Sequence, residues 1–252
     1  MSDADSDRGG MDRRWSVRAL SPPAWLRAAA FAWSVPADSP LARSCPACGV
    51  PTAHLPAPSL TVSARCAACG IRLGPGPWIV EVATVAAAAL LLTGSRSAVE
   101  LPAYAWFAAL GLLLAFIDAA VHRLPNLLTA AWVAGTLGGL ILPAALESRW
   151  DDWLRALVGG IALTVAFGLV ALVRSRAVGW GDVKAAATAG VALAWLGWGA
   201  ILQGLMLTFA LAFGYTVVLL VRGRAGRATR IPLGPFLVAG VLIVAAWYPP
   251  LV

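Results

Sequence analysis

Charge is scarce in this chain. Only 12% of its 252 residues are charged, 60% are hydrophobic, and the mean hydropathy is +0.79. Soluble domains carry about twice that charged fraction, so a soluble globular fold is excluded and a bilayer is implied. Cysteine is confined to four residues, all between positions 45 and 69. Nothing in Met1 to Gly10 resembles a cleavable signal peptide, since the stretch is acidic and polar rather than basic and then apolar. With no secretory signature, a reduced, metal-binding reading of the cysteines is favoured over disulfides. No glycine-rich fingerprint of the dinucleotide type appears, and no repeat of fixed period. The net charge of +7 does not point to nucleic acid, since arginines in short loops between apolar spans are topology signals.

What is present is a series of apolar runs. Residues 1–44 begin polar, and the stretch from Ala24 to Val35, interrupted by Arg27 and followed by Pro36, falls short of the roughly 20 residues needed to cross a bilayer. It reads as an interfacial segment or the remnant of a lost span. A Gly-Pro-Gly-Pro breaker at 74–77 precedes seven apolar segments, at about 78–93, 99–118, 127–146, 153–173, 184–198, 200–221 and 232–248. The fifth is rich in alanine and carries Gly190 and Gly197, which suits close helix packing rather than lipid contact. The expectation is an all-α polytopic membrane protein with about seven transmembrane helices and a small N-terminal cytoplasmic zinc module.

The basic residues orient these spans. With the cysteines on the cytoplasmic side, that side holds the eight arginines ahead of the first span together with Arg123, Arg174, Arg176, Lys184, Arg222, Arg224, Arg227 and Arg230. Only Arg96, Arg149 and Arg155 remain opposite, an asymmetry that satisfies the positive-inside rule. The arginine-rich 222–230 loop fits topology and anionic lipid headgroups.

Two aspartates stand out against this background. Asp118 ends the second apolar run, and Asp182 lies in Gly179-Trp180-Gly181-Asp182-Val183-Lys184. A carboxylate at the edge of hydrocarbon is costly and marks a functional site by default. Two spans separate the pair, so span parity returns both to one membrane face. A close pair of carboxylates can share a proton and activate water. The bland readings are a solvated Asp118 neutralised by Arg123, and an Asp182 that caps the helix after it. Pro125 disfavours helix at Leu124, and Asn126 is placed to cap the following helix. Lys184 is expected near the pair or on a lipid phosphate, the alternative being a basic side chain that snorkels at a span end.

The cysteines read independently. Cys45-x-x-Cys48, seventeen intervening residues and Cys66-x-x-Cys69 match the spacing of a four-thiolate zinc site. Four protein thiolates leave no open position, which makes the zinc structural. His54, between the pairs, is expected to be a surface residue.

F-I-D-x-x-x-x-x-L-P-N at 116–126 and G-x-G-D-x-K at 179–184 resemble the two aspartate motifs of type IV prepilin peptidases, a family of membrane aspartic proteases. S-C-P-x-C at 44–48, C-x-x-C-G at 66–70, P-x-x-V-E at 77–81 and I-P-x-G-P-F-L at 231–237 match in the same order. The resemblance implies cleavage of the basic leader of a prepilin or pseudopilin precursor at the cytoplasmic face of a bacterial inner membrane, with Asp118 and Asp182 as the catalytic pair. It also implies a second activity, N-methylation of the new N-terminus with S-adenosylmethionine. Glu81 matches a glutamate after the cysteine module; it would bind the new amine or a basic leader side chain, or cap the first span. Gly179, Gly181 and Lys184 would support the site. Members of the family begin with a membrane span carrying a G-S-F-L-N-V-type motif, and Ala24–Val35 has neither the motif nor the length. The expected division is 1–44 as tail and interfacial segment, 45–77 as zinc module and 78–252 as transmembrane peptidase domain. The competing reading is a non-enzymatic assembly factor that binds pilin-like partners.

Overall fold

The computed structural model describes residues 22–36, 39–51, 63–66, 68–94, 97–173, 179–224, 226 and 231–248. His54, Arg174, Arg176, Arg227 and Arg230 lie outside them. The regular elements among the described residues are helices, with isolated bridges and no extended strand. They fall into two compact units, Met1–Val85 and Ala86–Val252.

The first unit contains helix α1 (Pro22–Trp33), the cysteine segment and the start of α2 (Ile79–Thr93). The stretch read as interfacial is α1, and it is packed: Ala28 and Phe31 form a small core with Cys45, Cys66 and Leu73. Arg27, which breaks its apolar pattern, is fully buried and bridges both carboxylate oxygens of Glu81, at 2.6 and 2.7 Å. A charge inside an apolar helix is thus explained by a partner 54 residues away.

The second unit is a helical bundle of α3 (Leu101–Val121), α4 (Asn126–Gly139), α5 (Ile141–Leu146), α6 (Trp150–Val173), α7 (Trp180–Leu196), α8 (Trp198–Val221) and α9 (Gly234–Trp247). All seven expected apolar segments are helices. Four of them, Leu101–Val121, Asn126–Leu146, Trp150–Val173 and Trp198–Val221, are long and apolar enough to cross a membrane; α2 and α9 are shorter apolar helices. The exposed faces of α6 and α8 carry Val158, Ile161, Leu169, Leu202, Met206, Phe209 and Phe213. A hydrocarbon surround accommodates such faces, whereas water would not.

The third expected span is broken at Leu140 into α4 and α5. Pro143 has no N–H to offer the carbonyl of Gly139, so the helical ladder is interrupted there. The fifth segment also starts earlier than its apolar run suggests, at Trp180 rather than 184, and ends where Gly197 turns to φ 146°.

Helix α7 is the centre of the bundle: from Ala185 to Leu196 it is buried almost throughout. Glycine makes its contact with α6 possible, since a Cβ on Gly190 would come 2.5 Å from the Gly159 carbonyl oxygen and one on Gly160 would come 2.7 Å from Val191. The Tyr104 hydroxyl of α3 donates to the Ala192 carbonyl at 2.8 Å.

A charged cluster fastens one end of the bundle. Glu100 accepts from Arg149 at 2.5 Å and from the Trp195 indole at 2.9 Å, while the Arg149 guanidinium lies over the Trp195 ring. Arg155 donates to the carbonyls of Ala194 and Trp195, among the last-turn acceptors at the end of α7. Glu100 precedes α3 and Trp195 ends α7, so these helices run in opposite directions. Asp118 near the end of α3 and Asp182 at the start of α7 therefore share the other end.

Candidate active site and metal centre

Asp118 projects from the last turn of α3 and is buried. The helix stops four residues later, where His122 adopts a left-handed conformation and returns its N–H to the Asp118 carbonyl at 2.8 Å. Asp182 is the third residue of α7, and its Oδ2 accepts the backbone N–H of Gly179 at 3.0 Å. The capping role weighed for Asp182 is thus present in the structure. It occupies one carboxylate oxygen. Asp118 and Asp182 lie within electrostatic range of each other, and the Asp118 carboxylate also feels His122.

Further contacts join the two motifs. Leu124 lies against Gly181, whose absent Cβ would make ordinary contact with it at 3.5 Å. Lys184 Nζ donates to the side-chain oxygen of Asn126. Asn126 therefore does not cap α4, as expected from its place after Pro125: Pro125 holds the cap position and the amide turns to Lys184 instead. Gly179 and Gly181 sit at ordinary backbone angles, so neither depends on left-handed freedom, and a Cβ at either would make only ordinary contacts.

A residue of the 231–237 motif, to which the sequence assigned no role, also reaches Asp118. The N–H of Gly234, at the start of α9, donates to Asp118 Oδ2 at 3.2 Å. The Gly-Pro step at 234–235 signals a helix start, but nothing local links it to a carboxylate 116 residues away.

Glu81 belongs to the first unit, where Arg27 engages its carboxylate. In the same unit the four cysteines converge, with all four sulfurs within 4.8 Å of one another. Each Cys-x-x-Cys turn is closed by an isolated bridge, Ser44 with Pro51 and Arg65 with Arg72, and each following glycine takes a positive φ, 70° at Gly49 and 74° at Gly70. Cys45–Cys69 and Cys48–Cys66 are each 3.6 Å apart, too far for a disulfide and close to the roughly 3.8 Å between sulfurs that tetrahedral zinc at about 2.3 Å would set. Backbone N–H groups of Cys69 and Ala68 hold the Cys66 thiol down at about 6. At Cys48 the Val50 N–H favours the thiolate, but desolvation and the neighbouring sulfurs push it up to about 12. Geometry and donor set both fit zinc.

The comparisons with known proteins agree with this arrangement. Residues 105–221 match the model of the type IV leader peptidase family. A prepilin leader peptidase/N-methyltransferase of Burkholderia pseudomallei (strain 1026b) is 32% identical over 234 residues, covering 86% of this chain and 74% of that protein. Leader peptidase HopD of Salmonella typhimurium is 34% identical over 149 residues, covering 57% of this chain and 92% of the relative. A prepilin leader peptidase/N-methyltransferase of Pseudomonas aeruginosa is 29% identical over 218 residues, covering 81% and 71%. No solved structure matches the chain. The multi-pass helical bundle, the paired aspartate motifs and these relatives lead to one conclusion: the chain belongs to the type IV leader peptidase family.

Proposed function

We propose that this protein is a membrane aspartic endopeptidase that removes the basic leader from type IV prepilin or pseudopilin precursors at the cytoplasmic membrane face. The observation that carries the proposal is that Asp118 and Asp182 lie at the same end of the bundle within electrostatic range of each other, each with one oxygen held by a backbone N–H. Two carboxylates within range of each other titrate as a pair and carry one proton between them. The ionised member draws a proton from water as the water attacks the scissile carbonyl. The protonated member polarises that carbonyl and supplies a proton to the leaving amine. A precursor helix reaches such a pair from the bilayer, while its basic leader stays on the side where the positive-inside rule puts the dyad.

Supporting roles follow from position. Gly181 and Lys184 keep the second motif against Leu124 and Asn126 of the first, and Gly179 fixes one oxygen of Asp182. Glu81 acts as the counter-ion of Arg27. Cys45, Cys48, Cys66 and Cys69 would hold a structural zinc that supplies cross-linking to a unit with a small apolar core. S-adenosylmethionine-dependent methylation of the new N-terminus is a second proposed activity, supported by the names of two of the relatives. Co-expression with a candidate prepilin, followed by mass spectrometry of its N-terminus, tests both activities. Loss of the leader mass is the expected result for cleavage and an added methyl mass for methylation; an unprocessed precursor overturns the proposal.

A further inference from the structure

We propose that Gly234 is a positioning residue for Asp118, and that α9 contributes to the active site through its backbone rather than a side chain. The inference rests on the dyad reading of Asp118 and Asp182. It starts from hydrogen-bond accounting at the first turn of α9. The N–H groups of Phe236 and Leu237 are satisfied by the Leu233 carbonyl, at 3.1 and 3.0 Å, and Pro235 has no N–H. Gly234 holds a donor with no acceptor inside the helix, as the first residues of every helix do. That donor points at Asp118 Oδ2, 3.2 Å away and buried.

The second observation is steric. A Cβ on Gly234 would stand 2.9 Å from Asp118 Oδ2, 3.4 Å from its Cγ and 3.5 Å from its Cβ. The atom it meets first is the very oxygen that the N–H holds. Any other residue at 234 pushes the carboxylate away from its donor, so glycine is needed here for approach. Buried α9 residues such as Leu237, Val238 and Val241 keep this turn in place.

The consequence is orientational. Oδ2 is fixed by a rigid backbone donor, so the Asp118 carboxyl presents one defined edge to the reacting water and carbonyl. Displacing a catalytic group by about 1 Å can cost about 100-fold in rate. Gly234→Ala is therefore expected to lower kcat for leader cleavage by roughly 10- to 100-fold while leaving KM within about twofold. Gly240→Ala is the control on the same helix. Its Cβ would meet Thr208 Oγ1 at 2.5 Å, so it loosens α9 without approaching Asp118. It is expected to lower the unfolding temperature and leave kcat per folded molecule close to wild type.

A stability cycle tests the contact apart from catalysis. If Gly234 is constrained by Asp118, the drop in unfolding temperature caused by Gly234→Ala disappears when Asp118 is also replaced by Ala, which opens the space. Should Gly234→Ala fail to fold alone, the double variant is expected to fold. An equal penalty in both backgrounds, a double variant that does not fold, or a folded Gly234→Ala with wild-type kcat overturns the proposal. Cleavage by Asp118→Asn would instead overturn the dyad reading, leaving the cycle interpretable.

Discussion

Lys184 donates a hydrogen bond to Asn126, and this contact ties the second aspartate motif to the first. The two are the only lysine and the only asparagine in the chain. The bond spans 58 positions and joins the start of α7 to the start of α4, just beyond the carboxylates.

A prediction follows for this pair. Lys184→Met and Asn126→Ala each remove the same bond, which is exposed and worth about 1 kcal/mol. Each is expected to slow leader cleavage several-fold, and the double variant to be no slower than the worse single one. Additive losses would show that the two side chains act separately. A double-mutant cycle on cleavage rate measures this directly.

Arg27 and Glu81 yield a second prediction. Arg27 is fully buried, and Glu81→Gln removes the carboxylate charge that its guanidinium engages at 2.6 and 2.7 Å. Breaking a fully buried pair by removing one member costs about 3–5 kcal/mol, and the partial exposure of Glu81 brings the expected cost below that. Limited proteolysis of the segment around α1 and the cysteines is expected to accelerate markedly in Glu81→Gln. Unchanged protection would mean that the bridge contributes little.

The cysteine module provides a third. One equivalent of zinc is expected in protein purified under reducing conditions, and less than half an equivalent would count against the site. Four ligands act on one ion, so Cys45→Ser or Cys66→Ser should each strip the metal rather than weaken it in proportion. The two buried cysteines pack with Ala28 and Leu73. Metal loss should therefore expose the α1 segment to protease as well, which ties the zinc readout to the fold.

Packing of α7 supplies the fourth. Gly190 faces Gly159 with no room for a methyl group, and the contact there is with backbone, which cannot rotate away. Gly190→Ala should destabilise the bundle by about 1–3 kcal/mol. Gly138→Ala meets nothing within 4 Å and should be neutral by comparison. Unfolding midpoints in one detergent, measured side by side, decide whether the contrast holds.

These positions also show what could be read from residues alone. Apolar runs and their parity were legible because membrane insertion is governed by local hydropathy. Asp118 and Asp182 stood out because a charge at the edge of such a run is expensive. The cysteine spacing was legible because a metal ion imposes its geometry on short turns. What escaped was long-range pairing: Arg27 looked like a flaw in an apolar segment until Glu81 was beside it. Asn126 looked like a helix cap until Lys184 claimed its oxygen. Gly234 was legible only as part of the 231–237 motif, and nothing local tied it to Asp118, since its contribution is one N–H and the absence of a methyl group. The break at Leu140 was legible in principle from Pro143, but hydropathy alone runs straight through it.

The most direct test of the central claim is leader cleavage by purified protein in liposomes, with a prepilin-type precursor whose N-terminus is followed by mass spectrometry. Wild type, Asp118→Asn and Asp182→Asn should incorporate equally and retain zinc. Only the wild type should release the leader, with each variant slower by at least about three orders of magnitude. Near-normal cleavage by either variant would contradict a mechanism in which both carboxylates act on the water and the scissile carbonyl.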